Sequence, residues 1–237
     1  MIKTIFFDVD GTLYEEQHAK IKAEAHTVQL IAQRIERSIT EVYELYMKAK
    51  WTVLNSSDRN PERNNRTLWY REMFAQGAGV EMNSKGLTAE KLSGNYWRIL
   101  NENIEPYADL LLALPLLARK YELHILTDEL YDVCQSKLET LGLRHFFGKV
   151  ISAEHAGALK PHRELFDYAL TAAGASADTT LMVGDYPAGD IAGAKSAGWH
   201  TALARRGQHF YQPHLPNEQP DYIVNSYLEF LGWVSSI

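Results

Sequence analysis

Two aspartates follow the first apolar segment of the chain. Asp8 and Asp10 come directly after the Ile-Phe-Phe run at residues 5–7, and Gly11 follows them. A short β-branched and aromatic run closed by a turn residue predicts a buried strand. If extended geometry persists, alternation places both carboxylates on one side of the chain. Such a pair could bind a cation or exchange protons with a substrate. A pair that only caps the following turn is the alternative.

Two more aspartates follow a later apolar segment. Gly184 and Asp185 end the run at residues 181–183, and Asp190 comes five residues after Asp185. Either aspartate could simply cap a helix. In a parallel sheet, however, the ends of these segments converge, and four nearby carboxylates cannot all stay ionised without a cation. An all-oxygen ligand set of this kind suits Mg²⁺.

A lysine and a threonine could complete a phosphate site. Lys160 precedes Pro161, which we expect to be the first residue of a helix, where a positive charge opposes the helix dipole. A counter-charge to carboxylates and phosphate explains this placement, and a solvated loop lysine is the alternative. Thr127 and Asp128 follow the apolar run at 123–126, and a hydroxyl with backbone N–H groups at such a turn can hold a phosphate-like anion.

The elements that must position these residues alternate between strands and helices. Six short apolar runs are predicted strands, at residues 5–7, 123–126, 150–151, 181–183, 201–203 and 222–224. Helical patterns lie between the later runs, at 131–141, 164–173 and 190–197. This alternation predicts an α/β fold with a parallel sheet and helices on both of its faces.

Residues 15–104 interrupt this alternation. Apolar residues spaced by three and four predict helices throughout this stretch, with Thr40 and Thr88 as N-caps, and no strand is indicated. We therefore expect an α/β core of residues 1–14 and 105–237 and an all-helical domain at 15–104.

Composition narrows the classes of function. The 237 residues carry a formal net charge of −6, which disfavours a surface built for nucleic acid or an anionic membrane. The single cysteine, Cys134, rules out an internal disulfide and a cysteine-based zinc site. The longest apolar run, at 110–118, is too short to span a bilayer. We expect a soluble, cytoplasmic protein.

The chain resembles the haloacid dehalogenase (HAD) superfamily in four motifs that occur in the family's order. They are Asp8-Val9-Asp10-Gly11-Thr12-Leu13, Thr127, Lys160-Pro161, and Gly184-Asp185 followed by Asp190. The resemblance implies a Rossmann-like parallel sheet, which agrees with the alternation of elements. The helical stretch after the first motif resembles the cap domain that this superfamily inserts there.

The resemblance also implies catalytic roles for the aspartates. Asp8 resembles the nucleophile that forms an aspartyl-phosphate, and Asp10 resembles the general acid/base. The side chains of Asp8 and Asp185, with the backbone carbonyl of Asp10, would hold Mg²⁺. A carboxylate attacks a dianionic phosphate only when the charge between them is neutralised, so this chemistry requires such a cation.

The remaining motif residues would bind the phosphoryl group. By resemblance, Thr127 and the backbone N–H of residue 128 bind its oxygens, Lys160 neutralises it together with Asp8, and Asp190 orients Lys160 or a water on the metal. Asp128 departs from the family pattern, which usually has a small neutral residue there, very often Asn. We expect its carboxylate to point away from the phosphate.

The predicted activity is Mg²⁺-dependent hydrolysis of a small phosphorylated metabolite. Dehalogenases of this superfamily typically carry Tyr where Asp10 stands, so Asp10 favours phosphoryl transfer. A phosphosugar mutase and a non-catalytic binding or regulatory relative remain as alternatives. Cap residues would set the substrate, and the candidates for an anionic contact are Arg59, Arg63, Arg66 and Arg71, with a solvated basic face as the alternative.

Overall fold

The chain forms two compact units. A computed structural model describes residues 1–56, 59–206 and 215–237. The core unit comprises Met1–Gln17 and Ile104–Ile237, and the inserted unit comprises His18–Asn103. The sequence predicts the boundary between the first part of the core and the inserted unit after residue 14, three residues before the boundary in the structure. The chain stays with the core unit that far because Tyr14 forms β-bridges with Asp10 and Pro106.

The core unit is built on a six-stranded parallel sheet. Its strands are β1 (Thr4–Phe7), β2 (Glu122–Thr127), β3 (Val150–Ser152), β4 (Thr180–Gly184), β5 (His200–Ala204) and β6 (Tyr222–Val224). Their order is β3-β2-β1-β4-β5-β6, and every neighbouring pair is parallel. The predicted α/β fold and all six predicted strands are confirmed. The first strand lies in the middle of the sheet, with β2 and β4 on its two sides.

Burial of apolar side chains explains why the central strands form. All four residues of β1 and all five of β4 are buried. Phe6 and Met182 belong to one apolar cluster with Phe166 and Trp199, whose ring centroids lie 5.3 Å apart. Burial on both faces is typical of parallel strands, which must be covered by helices on each side.

The described residues of the inserted unit form helices joined by turns and loops, and they include no strand. It contains α1 (Gln17–Ile35, which starts in the core unit), α2 (Ile39–Leu54), α3 (Arg66–Met73), α4 (Gly79–Ser84) and α5 (Ala89–Asn101). Thr88 caps α5 as predicted, with its side chain accepting a hydrogen bond from the Lys91 amide. The prediction for Thr40 is wrong. Ser38 caps α2, because Glu41 three residues later completes a capping box with it.

One of the four candidate arginines is buried inside this unit. The guanidinium of Arg66 lies 3.7 Å from the ring centroid of Trp69, and the residue is only 6% exposed. Arg71 instead forms an exposed ion pair with Glu90. The basic stretch is therefore not a uniformly solvated face, since Arg66 is a cation–π partner within the helical packing.

Six helices complete the core unit: α6 (Ala108–Leu117), α7 (Tyr131–Thr140), α8 (Ala153–Ala156), α9 (Arg163–Ala173), α10 (Ala192–Ser196) and α11 (Tyr227–Val234). Helices α6 and α11 pack against each other. Across the described part of the chain, no helix has the length and apolar character needed to cross a membrane.

Candidate active site

The predicted site residues meet at the carboxyl end of the sheet. Asp8 follows β1, Thr127 ends β2, and Asp185 follows β4. The register pairs Phe7 with Ile125 on one side and with Val183 on the other, so these three positions lie just beyond paired residues of adjacent strands. The strand order reverses direction around β1, and ligands of open α/β sheets bind at such a point.

Lys160 connects this edge of the sheet to Asp190. Its ammonium Nζ donates hydrogen bonds to Asp8 Oδ1 at 2.7 Å and to Asp190 Oδ1 at 2.6 Å. Burial alone would lower the pKa of this lysine, but the charges of Asp190 and Asp8 outweigh burial and raise it well above its usual range. The side chain therefore carries a fixed positive charge beside Asp8.

The segment that carries Lys160 differs from the prediction in one respect. Pro161 is not the first residue of a helix, because α9 begins at Arg163 and His162 is its N-cap. The bond between Lys160 and Pro161 is a cis peptide. Lys160 is thus part of a connecting loop between α8 and α9, with its side chain turned into the protein.

Asp128 is bonded to the backbone of this same loop. Its Oδ1 accepts a hydrogen bond from the Lys160 amide at 2.8 Å. The hydroxyl of Thr127, which is 2% exposed, accepts a hydrogen bond from the Glu129 amide at 3.1 Å. Because the Asp128 carboxylate is hydrogen-bonded to the Lys160 backbone, it connects the turn after β2 to the loop before α9.

Three carboxylates converge where a cation would bind. Asp8, Asp185 and Asp190 are all buried, and each places a carboxylate oxygen within 4.8 Å of the others. Burial raises the pKa of Asp8 to about 7, against the attraction of Lys160. Burial and the charge of Asp8 also raise the pKa of Asp185 well above its usual range. Three crowded carboxylates with one lysine leave an excess of negative charge.

These residues fit a divalent metal ion. Asp185 Oδ2 is buried and has no hydrogen-bond partner within the described ranges, whereas Asp190 is already bonded to Lys160 and to the Tyr186 amide. A buried carboxylate oxygen that is not hydrogen-bonded is suited to be a metal ligand. Asp190 uses both of its oxygens in these bonds, whereas Asp8 gives Oδ1 to Lys160 and its Oδ2 makes only a longer contact of 3.5 Å with the Thr12 hydroxyl. Of the three, Asp185 and Asp8 are therefore the side chains that could best hold the metal, with Asp190 behind Lys160.

A glycine permits Asp190 to approach the sheet. A Cβ at Gly184 would lie 2.2 Å from Asp190 Oδ2, which is far inside van der Waals contact. Asp190 belongs to a π-helical turn over Pro187–Ile191, and its Oδ2 accepts a hydrogen bond from the Tyr186 amide at 3.0 Å. The close approach therefore depends on the missing side chain at residue 184.

Asp10 lies in a second cluster that sequence reasoning missed. Lys137 Nζ donates to both carboxylate oxygens of Asp10, at 2.8 and 2.7 Å, and lies 3.3 Å from Glu129 Oε2. The Tyr14 hydroxyl also donates to Asp10 Oδ1. Lys137 is 1% exposed, and the attraction of Asp10 and Glu129 overcomes burial to raise its pKa above the usual range. A lysine on an amphipathic helix is normally assigned to the solvent-facing side. Lys137 lies three residues after the apolar Cys134, and this spacing, which places the two on one face of the helix, is the sequence feature that indicates its burial.

The loop after β1 is held by residues from the other end of the chain. The Tyr227 hydroxyl, at the start of α11, donates to the backbone carbonyl of Thr12. Asp109 accepts a hydrogen bond from the Tyr227 amide at 2.8 Å and pairs through both oxygens with Arg206. These contacts fix the turn that carries Asp8 and Asp10.

Comparison with known proteins agrees with this geometry. The family model described as haloacid dehalogenase-like hydrolase matches residues 2–198. The chain is 27% identical to a protein of Methanopyrus kandleri named glyceraldehyde 3-phosphate phosphatase, covering 100% of this chain and 99% of the relative.

Two solved structures have the same fold. A 2-haloacid dehalogenase from Pseudomonas syringae matches with a TM-score of 0.76 at 22% identity, covering 100% of this chain and 99% of the other. A HAD phosphatase from Thermococcus onnurineus matches with a TM-score of 0.76 at 22% identity, with 98% of each chain covered. The family match covers most of the chain and includes every predicted site residue. The chain therefore belongs to the haloacid dehalogenase-like hydrolases and is an enzyme of that family's phosphatase type.

Proposed function

We propose that this enzyme hydrolyses a small phosphorylated metabolite with bound Mg²⁺ and through an aspartyl-phosphate on Asp8. The observation that carries the proposal is the buried ion pair of Asp8 with Lys160, together with the buried Oδ2 of Asp185, which no hydrogen bond from the described residues engages. A nucleophile, a fixed cation and a metal ligand thus lie at the ends of adjacent strands.

In the first half of the reaction, an oxygen of Asp8 attacks phosphorus. The bond from phosphorus to the leaving oxygen breaks, and the leaving oxygen takes a proton from Asp10. Lys160 stabilises the charge on the transferring group, and Thr127 with the amide of residue 128 binds its oxygens. Asp8, Asp185 and the Asp10 carbonyl would hold the metal, which when bound supplies charge neutralisation and orientation.

In the second half, water attacks the phosphorus of the aspartyl-phosphate. Asp10 takes the proton from that water, the bond between phosphorus and Asp8 breaks, and inorganic phosphate leaves. One carboxyl group therefore acts first as an acid and then as a base. This role requires a carboxylate beside the nucleophile that is not itself a metal ligand through its side chain.

The names of the relatives support the proposed substrate class. The Methanopyrus protein is named for glyceraldehyde 3-phosphate, so this compound and other small monoesters form the first panel to test. We infer no nucleic-acid or membrane partner, and a cytoplasmic location remains a prediction. The role of residues 18–103 as a substrate-selecting cap is part of the same proposal.

The nucleophile can be tested directly. Asp8→Asn should lower the rate below about 1% of the native rate, since loss of a nucleophile that acts within a unit costs several orders of magnitude. Native enzyme quenched in acid during turnover of a ³²P-labelled monoester should retain label that hydroxylamine releases, as expected for an acyl phosphate.

The control for this experiment is Asp178→Asn, which changes an exposed carboxylate outside the site. It should label and turn over like the native enzyme. Native-like activity of Asp8→Asn, or label that resists hydroxylamine, would overturn the assignment of Asp8.

A further inference from the structure

We propose that Lys137 is a positioning residue that sets the orientation of the Asp10 carboxylate, and that Tyr14 assists it. This inference rests on the proposed function. Lys137 lies on α7, 127 positions from Asp10 in sequence, yet its ammonium bonds to both oxygens of that carboxylate.

The contacts of Lys137 separate two groups of carboxylates. Asp8, Asp185 and Asp190 form one group with Lys160, and the carboxylate oxygens of Asp10 are not among those that converge there. The Asp10 side chain is 21% exposed, whereas the Lys137 side chain that holds it is 1% exposed. Lys137 is therefore buried inside the protein, while the Asp10 carboxylate that it holds is partly accessible. A side chain that transfers a proton to or from a substrate requires such access.

The second carboxylate of this cluster explains why Lys137 stays in place. Glu129 Oε2 accepts from Lys137 Nζ, and Glu129 Oε1 accepts from the Leu130 amide at 3.1 Å. Glu129 is thus fixed by its own turn and anchors the ammonium. An ammonium bonded to an anchored carboxylate has little freedom, and so it can define one position for the Asp10 carboxylate.

Orientation of Asp10 matters because proton transfer needs hydrogen-bonding distance. A displacement of about 1 Å from a productive position can reduce a rate by roughly 10²-fold. Without Lys137, the Asp10 carboxylate would lose the two hydrogen bonds that engage both of its oxygens. Loss of Lys137 should therefore slow both steps in which Asp10 transfers a proton, and only the first of these, protonation of the leaving oxygen, depends on the identity of the leaving group.

The test compares two substrates with different needs for that proton. In Lys137→Met, the single-turnover rate of aspartyl-phosphate formation from an alkyl phosphate should fall about 100-fold, following the sensitivity of catalysis to misplacement. With p-nitrophenyl phosphate, whose leaving group departs as an anion, we expect this same rate to fall less than about tenfold, because general acid catalysis contributes little there. The substrate Kd taken from the concentration dependence of this rate should change less than about threefold, since the proposal gives Lys137 no contact with the substrate.

Two controls separate positioning from structure. Lys195→Met removes an ammonium that pairs with Asp221 at 3.6 Å and should leave both rates unchanged. In an Asp10→Asn background, Lys137→Met should cause no further loss with the alkyl phosphate, because the group that it positions no longer transfers a proton.

A second variant covers the risk that Lys137→Met does not fold. Removing the lysine leaves Glu129 buried without its counter-charge, and Lys137→Met with Glu129→Gln removes that charge as well. The proposal is overturned if a folded variant forms the aspartyl-phosphate equally more slowly from both substrates, if Asp10→Asn enzyme loses further activity, or if neither variant folds. Native enzyme that hydrolyses neither ester would overturn the proposed function instead, and this inference with it.

Discussion

At the scale of single residues, two buried lysines each form ion pairs with two carboxylates. Lys160 lies between Asp8 and Asp190, and Lys137 lies between Asp10 and Glu129. A buried ion pair contributes little net stability, but removal of one partner costs about 3–5 kcal/mol because it leaves an uncompensated charge. Lys160 therefore couples the positions of Asp8 and Asp190, and Lys137 couples the positions of Asp10 and Glu129.

Asp128 provides a prediction at this scale. Asp128→Asn keeps an oxygen that can accept from the Lys160 amide, so turnover should change less than about tenfold, or 1.4 kcal/mol. Asp128→Ala loses the acceptor and should lower the free energy of unfolding by about 1–3 kcal/mol. Steady-state kinetics and urea titration measure these effects. A hundredfold gain with Asn would show that the carboxylate opposes substrate binding.

At the scale of elements, the turn between β4 and α10 is the tightest part of the site. Asp190 reaches Lys160 only because residue 184, the last of β4, has no side chain. A strand that ends in glycine thus allows the following π-helical turn to fold back over the end of the sheet. The position of the Lys160 ammonium therefore depends on the shape of the turn that carries Asp190 as well as on the loop that carries Lys160.

Gly184→Ala tests this dependence. The new Cβ would displace Asp190, loosen Lys160 and lower kcat by about 100-fold, as expected for misplacement of about 1 Å. The matched control is Gly232→Ala in α11, where a Cβ would meet nothing within 4 Å. That change should spare kcat and raise stability by up to about 1 kcal/mol, since alanine favours helix. Equal kinetics in the two variants would contradict the argument.

The sequence predicts elements better than it predicts contacts between them. Buried strands were predictable because their apolar runs are short and end at turn residues, and Thr88 was recognisable as a cap. The sequence pattern favours Thr40 over Ser38 as the N-cap of α2 only if the capping box is overlooked, since Glu41 lies three residues after Ser38. The bond of Lys137 to Asp10 could not be predicted, because it joins residues 127 positions apart and only the packing of α7 brings them together.

At the scale of the whole molecule, the site shares its stability with the core unit. Residues of β1, β2 and β4 and of two loops supply its groups, so a bound cation stabilises the packing of all these elements against unfolding. At a Mg²⁺ concentration of about 100 times Kd, the gain is about 2.7 kcal/mol. For a chain of this size, that corresponds to a rise in Tm of about 5–10 °C.

Thermal unfolding measures this gain without any substrate. Native protein should show the rise in Tm with Mg²⁺, and Asp185→Asn should show little of it, since it loses a carboxylate oxygen that no hydrogen bond engages within the described residues. Asp178→Asn should respond like the native protein. The same rise in Asp185→Asn would place the cation elsewhere.

The order of the strands in the sheet also has a consequence for synthesis on the ribosome. Strand β1 emerges first, but its neighbours begin only at Glu122 and Thr180. At about 5–20 residues per second, β1 waits roughly 10–35 s for both of them. The inserted unit, whose apolar cluster lies between Val28 and Leu92, is translated completely within that interval. The nascent chain thus carries an unpaired apolar strand ahead of a completely translated helical unit, which gives a chaperone time to shield the strand. The site itself can form only after Asp190 has been translated.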